Sequence, residues 1–333
     1  MAPARPFFDS HFSIAIFRYW AARGGSGRLG HRPGAPDAAP TRRARMRLSK
    51  AAALSACMLA LAAPAMGQSA PGQAAPGQTA QPGRPPTQPQ GWSMTVGLAP
   101  VYGMAWQGSK DTALSIFPDL RVNYKDALFL SVPEGLGWNA VNANGWKAGP
   151  LLKARFGRNE DDGGSPFQIA GGSDALRGMG DIGIAGEAGA FVEKRFGTRQ
   201  QWRARAEVRQ GFGGHEGIVG DISLNWSGRT GRTILSAGPR ATFASREYMQ
   251  TYFGVDAVQA SRTGLAASRL GGGLVSYGLG ASIVQPLDRR RAVTVFGGAD
   301  RLGGEPAGSS LIRERGQRTQ FVVGVGYGFR FGL

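Results

Sequence analysis

Apolar and polar positions alternate with a period of two over most of residues 92–331. In the stretch "QFVVGVGYGFRFGL" at 320–333, one face is small or polar and ends at Arg330. The apolar face of this stretch consists of Phe321, Val323, Val325, Tyr327, Phe329 and Phe331. Successive side chains of a β-strand point to opposite faces, so the pattern predicts a strand over 317–331. We expect this strand to pair with the first strand, near 93–106, and to close a barrel.

The same alternation predicts about 12 strands in all, with a range of roughly 10–14. The predicted strands are 93–106, 114–124, 127–134, 145–156, 181–196, 201–212, 218–227, 232–244, 247–254, 270–285, 291–300 and 317–331. The range reflects two regions, 127–156 and 247–270, in which a strand can be merged or split. An even number is what bacterial outer-membrane barrels require.

Two architectures produce such alternation: a soluble β-sandwich with its apolar face inside, and a transmembrane barrel with its apolar face outside. The predicted strands are mostly longer than the ~5–6 residues usual in soluble sheets, and match the length that crosses a bilayer at a tilt. Aromatic residues mark their ends, as in an interfacial girdle. These residues are Trp92, Trp106, Trp146, Phe156, Phe196, Trp202, Phe212, Trp226 and Phe331. The sequence therefore predicts an all-β, antiparallel transmembrane β-barrel.

The order of the connections conflicts with this strand assignment. If both termini are periplasmic, the long connection 157–180 falls at the periplasmic end, where barrel turns are short. The stretches 197–200 and 227–231 then fall at the outer end, although their composition is typical of tight turns.

The region before residue 92 is predicted to contain a targeting sequence and a linker. Residues 46–67 combine basic Arg47 and Lys50 with an apolar core and small residues, which predicts a signal peptide cleaved near 65–67. Residues 1–45 are expected to be an upstream extension or, alternatively, a long n-region. Residues 68–91 form a Pro/Gly/Gln-rich linker expected to be disordered, followed by the barrel over 92–333. "LSAC", which ends at Cys57, offers a weaker alternative as a lipoprotein box.

Composition and charge exclude several protein classes. The chain has 53 glycines, which argues against long helices and suits tight turns. Nearly half of its net charge of +17 lies in residues 1–50, and the rest is dispersed. A nucleic-acid interface would require a clustered basic face, so no nucleic-acid partner is expected. The single cysteine excludes an internal disulfide.

The polar faces of the predicted strands carry a set of charges that we expect to face the lumen. They are Lys147, Lys153, Arg155, Glu187, Glu193, Arg195, Arg203, Arg205, Glu207, Arg209, Asp221, Arg240 and Arg330. A barrel of this size lies between the filled eight-stranded type and the open porins. The prediction is a narrow, arginine-rich, slightly anion-favouring lumen, or a plugged one.

No catalytic, cofactor-binding or metal site is predicted. His215 is the one histidine after the leader, and a solvated turn residue is favoured over a hydrolase base. "GMGDIG" at 178–183 matches a dinucleotide-binding pattern but opens a strand instead of a helix. "EDDGG" at 160–164 is interpreted as a solvated acidic turn, with a calcium loop as the alternative. One histidine without a mature cysteine does not provide a zinc site.

Several stretches resemble the MipA/OmpV family (MltA-interacting protein) of outer-membrane proteins. They begin with "GLAPVYGMAWQGSKD" at 97–111 and continue over 112–131, 135–161, 186–197, 203–221, 236–265 and 322–331. The resemblance covers most of the predicted barrel through the order and spacing of these stretches, with no single diagnostic motif.

The resemblance implies a non-enzymatic barrel in the Gram-negative outer membrane, in contact with lipid and lipopolysaccharide and inserted by the barrel-assembly machinery. Some members are described as scaffolds that link a lytic transglycosylase to a penicillin-binding protein. Others are described as porin-like or adhesive, and these remain alternatives. The family supplies no catalytic residues to transfer.

Overall fold

The computed structural model describes residues 91–164 and 166–332. The predicted extension, signal peptide, linker and Cys57 alternative, which involve residues 1–90, lie outside the described residues.

Fourteen strands and four short helices make up the described chain. The strands are β1 (Trp92–Met104), β2 (Thr112–Tyr124), β3 (Leu128–Ser131), β4 (Gly135–Trp138), β5 (Val141–Ala143), β6 (Trp146–Arg155), β7 (Gln168–Gly171), β8 (Ala185–Phe196), β9 (Trp202–Gly213), β10 (Ile218–Thr230), β11 (Thr233–Ala244), β12 (Gly273–Pro286), β13 (Arg291–Leu302) and β14 (Thr319–Gly332). The helices are α1 (Arg246–Phe253), α2 (Ala257–Thr263), α3 (Gly304–Gly308) and α4 (Ser310–Arg315). No helix in the described ranges is long and apolar enough to span a membrane.

The strands form one closed antiparallel sheet. β1 pairs with β14, with Val96 opposite Phe329, and also with β2, with Val96 opposite Leu120. β4 and β5 both pair with β6 and act as one interrupted strand, while β7 pairs only with β2. The closed path therefore has 12 strands. The predicted antiparallel barrel and its closure by the last strand are confirmed.

Two predicted elements are wrong, and their errors cancel in the strand count. The segment 247–254 lies in helix α1, because Tyr248, Met249 and Phe253 recur at helical spacing and are buried. The strand formed by β4 and β5 was missed, because its glycines and asparagines are typical of loops. The missed strand reverses the direction of β6 to β11. The connection 156–184 consequently lies opposite the termini, and the tight turns 197–201 and 231–232 lie beside them, which removes the conflict in the connections.

The outer face of the barrel is apolar. Val96, Leu98, Leu152, Val208 and Leu279 are 44–64% exposed, and the predicted apolar positions of β14 also face outward. A soluble monomer does not expose a continuous apolar surface of this extent, whereas a bilayer covers one. Trp106 is an exception to the predicted girdle: it is 5% exposed and lies in a core beneath the loops.

The end of the barrel opposite the termini, called here the loop end, is filled by a hydrophobic core. Helix α1 contributes Tyr248, Met249 and Phe253, and helix α4 contributes Leu311 and Ile312. Inward residues at the strand ends complete this core, among them Val219, Val275 and Leu302. The connections at this end thus pack against the wall and form a plug.

The wall between β2 and β6 is built from two shorter pieces. β2 pairs with β3 over Arg121–Tyr124 and with β7 over Ala113–Ser115. The Phe167 ring lies 5.5 Å from Phe117 and 5.7 Å from Phe156, centroid to centroid. β7, a part of the 156–184 connection, therefore serves as wall where the β3–β4 hairpin is too short.

Candidate functional site inside the barrel

A network of charged side chains covers the inner face of β6, β8, β9 and β10. Because residues on one face of a strand recur every second position, alternate positions of these four strands bring their charges together inside the sheet. The network comprises Lys153, Arg155, Arg195, Arg203, Arg205, Arg209, Glu134, Glu187, Glu193, Glu207 and Asp221. Six cations thus face five carboxylates, and most of these side chains are buried.

Glu193 is the central carboxylate toward the end that carries the termini. It lies 3.2 Å from Arg195, 2.5 Å from Arg203 and 3.2 Å from Arg205. Arg203 also contacts Glu134, at 3.1 Å, and the Arg205 guanidinium lies 4.2 Å from the Phe191 ring. Shared carboxylates compensate several buried guanidiniums at once, which is how buried charge becomes tolerable.

Glu187 is the central carboxylate toward the loop end. It accepts hydrogen bonds from Arg155 (2.6 Å) and Arg209 (2.7 Å), and His215 lies at 3.0 Å. Arg209 also pairs with Glu207 at 2.5 Å and with Asp221 at 2.6 Å, which joins the two halves of the network.

The opposite wall has small inward residues. Glycine and serine predominate at the inward positions of β12 and β14. Arg240 on β11 reaches across β12 to Asp300 on β13, at 2.5 and 2.8 Å. A Cβ at Gly298 would lie 2.6 Å from Nη2 of Arg240, so this guanidinium occupies space that the missing side chain leaves. The glycine face of the strand pattern therefore accommodates long side chains from neighbouring strands.

Three predicted lumen charges lie outside the network, and one of them is Arg240, which pairs with Asp300. Lys147 pairs with Asp126 in the β2–β3 turn, at 2.6 Å. Arg330 has no carboxylate within ion-pair distance in the described ranges. Glu134, Asp126 and Asp300 complete pairs and were not predicted. Asp300 occupies an inward position of a predicted strand, so alternation could have found it. Glu134 ends the predicted strand 127–134 but lies in the β3–β4 turn, and Asp126 lies in the β2–β3 turn, so neither has a place on an alternating strand face.

His215 is not a solvated turn residue, and that interpretation is wrong. It is 2% exposed, and its ring contacts Tyr248 and Tyr252 of α1 edge-on. Nδ1 accepts a hydrogen bond from the Gly217 amide, so in the neutral ring Nε2 carries the proton and donates to Glu187. The glycine-rich turn is folded inward by this contact, which sequence composition does not reveal.

The "EDDGG" and "GMGDIG" stretches contact each other. Oε2 of Glu160 accepts hydrogen bonds from the amides of Gly178 and Gly180, each at 2.9 Å. The glycine-rich stretch thus surrounds a carboxylate of the same chain, and Asp161 and Asp162 are exposed.

No curated protein matches this chain significantly. An outer membrane channel from Pseudomonas putida F1 is 12% identical, with 76% of this chain and 100% of that chain covered and a TM-score of 0.37. OprB from Pseudomonas putida is 7% identical (73% and 94% covered, TM-score 0.37). The outer membrane protease OmpT from Escherichia coli is 10% identical (73% and 97% covered, TM-score 0.27).

Those solved structures are too dissimilar to assign a family, whereas the family model does assign one. The model described as "MltA-interacting protein MipA" matches residues 96–331, which is nearly the whole barrel from β1 to β14. The chain therefore belongs to the MipA family and is an outer-membrane β-barrel.

Proposed function

We propose that this protein is a non-enzymatic scaffold of the outer membrane that holds murein-cleaving and murein-synthesising enzymes at its periplasmic end. The observation that carries this proposal is the charge of the terminal rim, defined as the short turns 125–127, 144–145, 197–201, 231–232 and 287–290 with their flanking strand ends. Short turns on the side of the termini are periplasmic in outer-membrane barrels. The family description, MltA-interacting, supports a lytic transglycosylase as one partner.

The terminal rim is strongly basic. Its exposed charges are Lys125, Arg199, Arg229, Arg232, Arg289, Arg290 and Arg291. Asp126 and Asp288, the acids of these turns, are partly buried and paired with Lys147 and Arg291. The loop end carries exposed charges of both signs, for example Asp174 and Glu314 beside Arg262. A rim whose exposed charges are all positive favours a partner with an acidic face and speeds its association.

The filled interior also supports a structural role. Ion pairs cover one wall and the plug closes the loop end, which leaves little room for a solute path. The rival function, a narrow pore, is favoured by the small inward residues of β12 and β14. Conductance across a planar bilayer distinguishes the two.

The scaffold is tested with the purified barrel in a zwitterionic detergent. Its affinity is measured for a lytic transglycosylase of the MltA type and for a penicillin-binding synthase. The rim variant combines Arg199→Glu, Arg232→Glu and Arg289→Glu. Its matched control combines Arg262→Glu, Arg269→Glu and Arg313→Glu at the loop end, which changes the net charge by the same amount.

We expect the rim variant to lose at least about tenfold in affinity and much of its salt dependence, because rim charges steer association. The control should bind like the wild type. Absence of binding by the wild type, or equal losses in both variants, would contradict the proposal.

A further inference from the structure

A cavity of about 180 Å³ lies between the plug and the barrel wall near the loop end. Its lining includes two aromatic residues, Trp106 and Phe117, together with Arg155, Arg158, Tyr248 and Tyr252. At ~30 Å³ for each water in the liquid, this volume corresponds to roughly six waters. The cavity is therefore large enough to hold a small organic or inorganic ion.

Unpartnered polar atoms concentrate in the residues that line this cavity. Six buried side-chain nitrogen or oxygen atoms in the described ranges lack a hydrogen-bond partner, and four of them belong to residues that line the cavity. Three of the four are donors: Nε1 of Trp106, Nε of Arg158 and the hydroxyl of Tyr252. The fourth is Oε1 of Gln168, an acceptor suited to a ligand hydroxyl or a water. Buried polar groups are nearly always paired, so such a concentration points to a missing partner.

Arg158 differs from the buried arginines of the network, because it has no carboxylate within ion-pair distance in the described part of the chain. It is 8% exposed; Nη1 donates to the backbone oxygen of Tyr252 at 2.8 Å, and the guanidinium lies 5.7 Å from the Trp106 ring. Burial lowers the pKa of Arg158 to about 10, so it remains charged at neutral pH. An uncompensated buried charge is expensive unless an anion joins it.

The neighbouring groups make the cavity more positive. Arg155 also lines it, and the Glu187 carboxylate that Arg155 contacts is shared with Arg209. Asp300, the carboxylate at the cavity wall, is held by Arg240 through two hydrogen bonds. The nearby acids are thus engaged elsewhere.

We propose that this cavity binds a small oxyanion, a carboxylate or phosphate group, with Arg158 as its ion-pair partner and the Trp106 N–H and Tyr252 O–H as donors. A guanidinium accompanied by N–H and O–H donors matches the hydrogen-bonding requirements of such a group. The apolar lining by Phe117 and Phe156 suits a ligand with an apolar part as well. Two sources offer this chemistry, a free solute and the head group of an anionic lipid. The inference is independent of the scaffold proposal.

Binding is measured through the fluorescence of the buried Trp106 and the thermal midpoint of the barrel in zwitterionic detergent. The solute probes are inorganic phosphate and hexanoate. The lipid arm compares nanodiscs of phosphatidylglycerol with nanodiscs of phosphatidylcholine by native mass spectrometry. Arg158→Gln, Tyr252→Phe and Trp106→Phe are the test variants, and Arg177→Gln, an exposed arginine of the same connection, is the matched control. The Trp106→Phe variant is followed by the thermal midpoint alone.

The wild type and Arg177→Gln should bind at least one probe saturably, with a higher thermal midpoint when it is bound. Arg158→Gln should lose this response at least tenfold. Because it removes an uncompensated charge, its midpoint without anions should equal or exceed that of the wild type. Tyr252→Phe and Trp106→Phe should weaken binding several-fold.

Binding confined to phosphatidylglycerol would assign the lipid source, and binding of phosphate or hexanoate would assign the solute source. A wild type that binds no probe, or an Arg158→Gln variant that binds like the wild type, would overturn the proposal. Heat-modifiable electrophoretic mobility verifies that each variant is folded.

Discussion

Glu187 is a buried carboxylate that contacts two guanidiniums, those of Arg155 and Arg209, and also the ring of His215. Glu187→Gln keeps the shape of the side chain but leaves the buried Arg155 without a carboxylate partner and removes one of the three carboxylates that contact Arg209. We expect a loss of about 3–5 kcal/mol in the free energy of unfolding, the usual cost of breaking a buried pair. This loss is measured by urea unfolding in detergent, with heat-modifiable electrophoretic mobility as the readout of the folded fraction.

Asp288→Asn is the control for this prediction. Asp288 pairs with Arg291 at 2.5 Å, but the two side chains are 40% and 52% exposed, so solvent screens the pair and the unfolding midpoint should change little. Equal effects of the two substitutions would contradict the assigned importance of burial.

The plug should be sensitive to alkaline pH through the tyrosines of α1. Burial raises the pKa of Tyr248 and of Tyr252 above the ordinary value for tyrosine, so the folded state retains both protons to higher pH than the unfolded chain. Their contribution is complete below pH ~10 and is lost as the pH rises above it. Absorbance at the tyrosinate band should show two tyrosines that titrate late and are absent from a Tyr248→Phe/Tyr252→Phe variant. If the wild type and this variant titrated alike after correction for tyrosine number, the buried tyrosines would not behave as described.

At the scale of elements, alternation identified the long strands because their apolar face must meet lipid on every second residue. The same rule was not sufficient for β4 and β5, because Gly135–Trp138 alternates over four residues only and the asparagines that follow are typical of loops. A Cβ at Gly137 would lie 2.2 Å from the Phe129 ring, so glycine is required here because an aromatic ring of the adjacent strand occupies the space of a side chain. Sequence reasoning without strand pairs does not identify that requirement. The alternating pattern did place the interior charges on their strands. It did not identify their partners Glu134 and Asp126, because both lie in turns.

The seam between β1 and β14 depends on a close backbone approach. Gly97 lies opposite Gly328, and a Cβ at Gly97 would be 2.2 Å from the backbone oxygen of Tyr327. Gly97→Ala therefore forces the closing strands apart, and we expect a loss of about 1–3 kcal/mol, as for overpacked sites. Gly186→Ala is the control, because nothing lies within 4 Å of its added Cβ. Both are compared by the fraction that shows folded mobility after refolding into detergent; equal fractions would show that the seam tolerates a side chain.

For the whole molecule, three features act together: an apolar outer wall, a charged inner wall and a plug at the loop end. The outer wall and the inner charges follow from one alternating pattern, which is why the sequence could predict the architecture. The plug depends on connections that pack against the ends of distant strands, such as Met249 and Leu311 beside Val219 and Val275. Those contacts follow from the three-dimensional arrangement, so an open and a plugged lumen were equally compatible with the sequence.

The plug makes a prediction about conductance. Phe253 is fully buried in the loop-end core and Tyr248 is 1% exposed, so their side chains occupy space through which ions would otherwise pass. In a planar bilayer the wild type should show no steady ohmic steps. A Tyr248→Ala/Phe253→Ala variant leaves a cavity in the core and removes the ring beside Arg155, which should loosen α1 and produce intermittent openings. Because the interior has more cations than carboxylates, those openings should favour chloride over potassium. Val258→Ala, at an exposed position of α2, should behave like the wild type. Steady conductance by the wild type would mean that the loop-end core does not seal the barrel, and the narrow pore would then replace the scaffold as the better account of this chain.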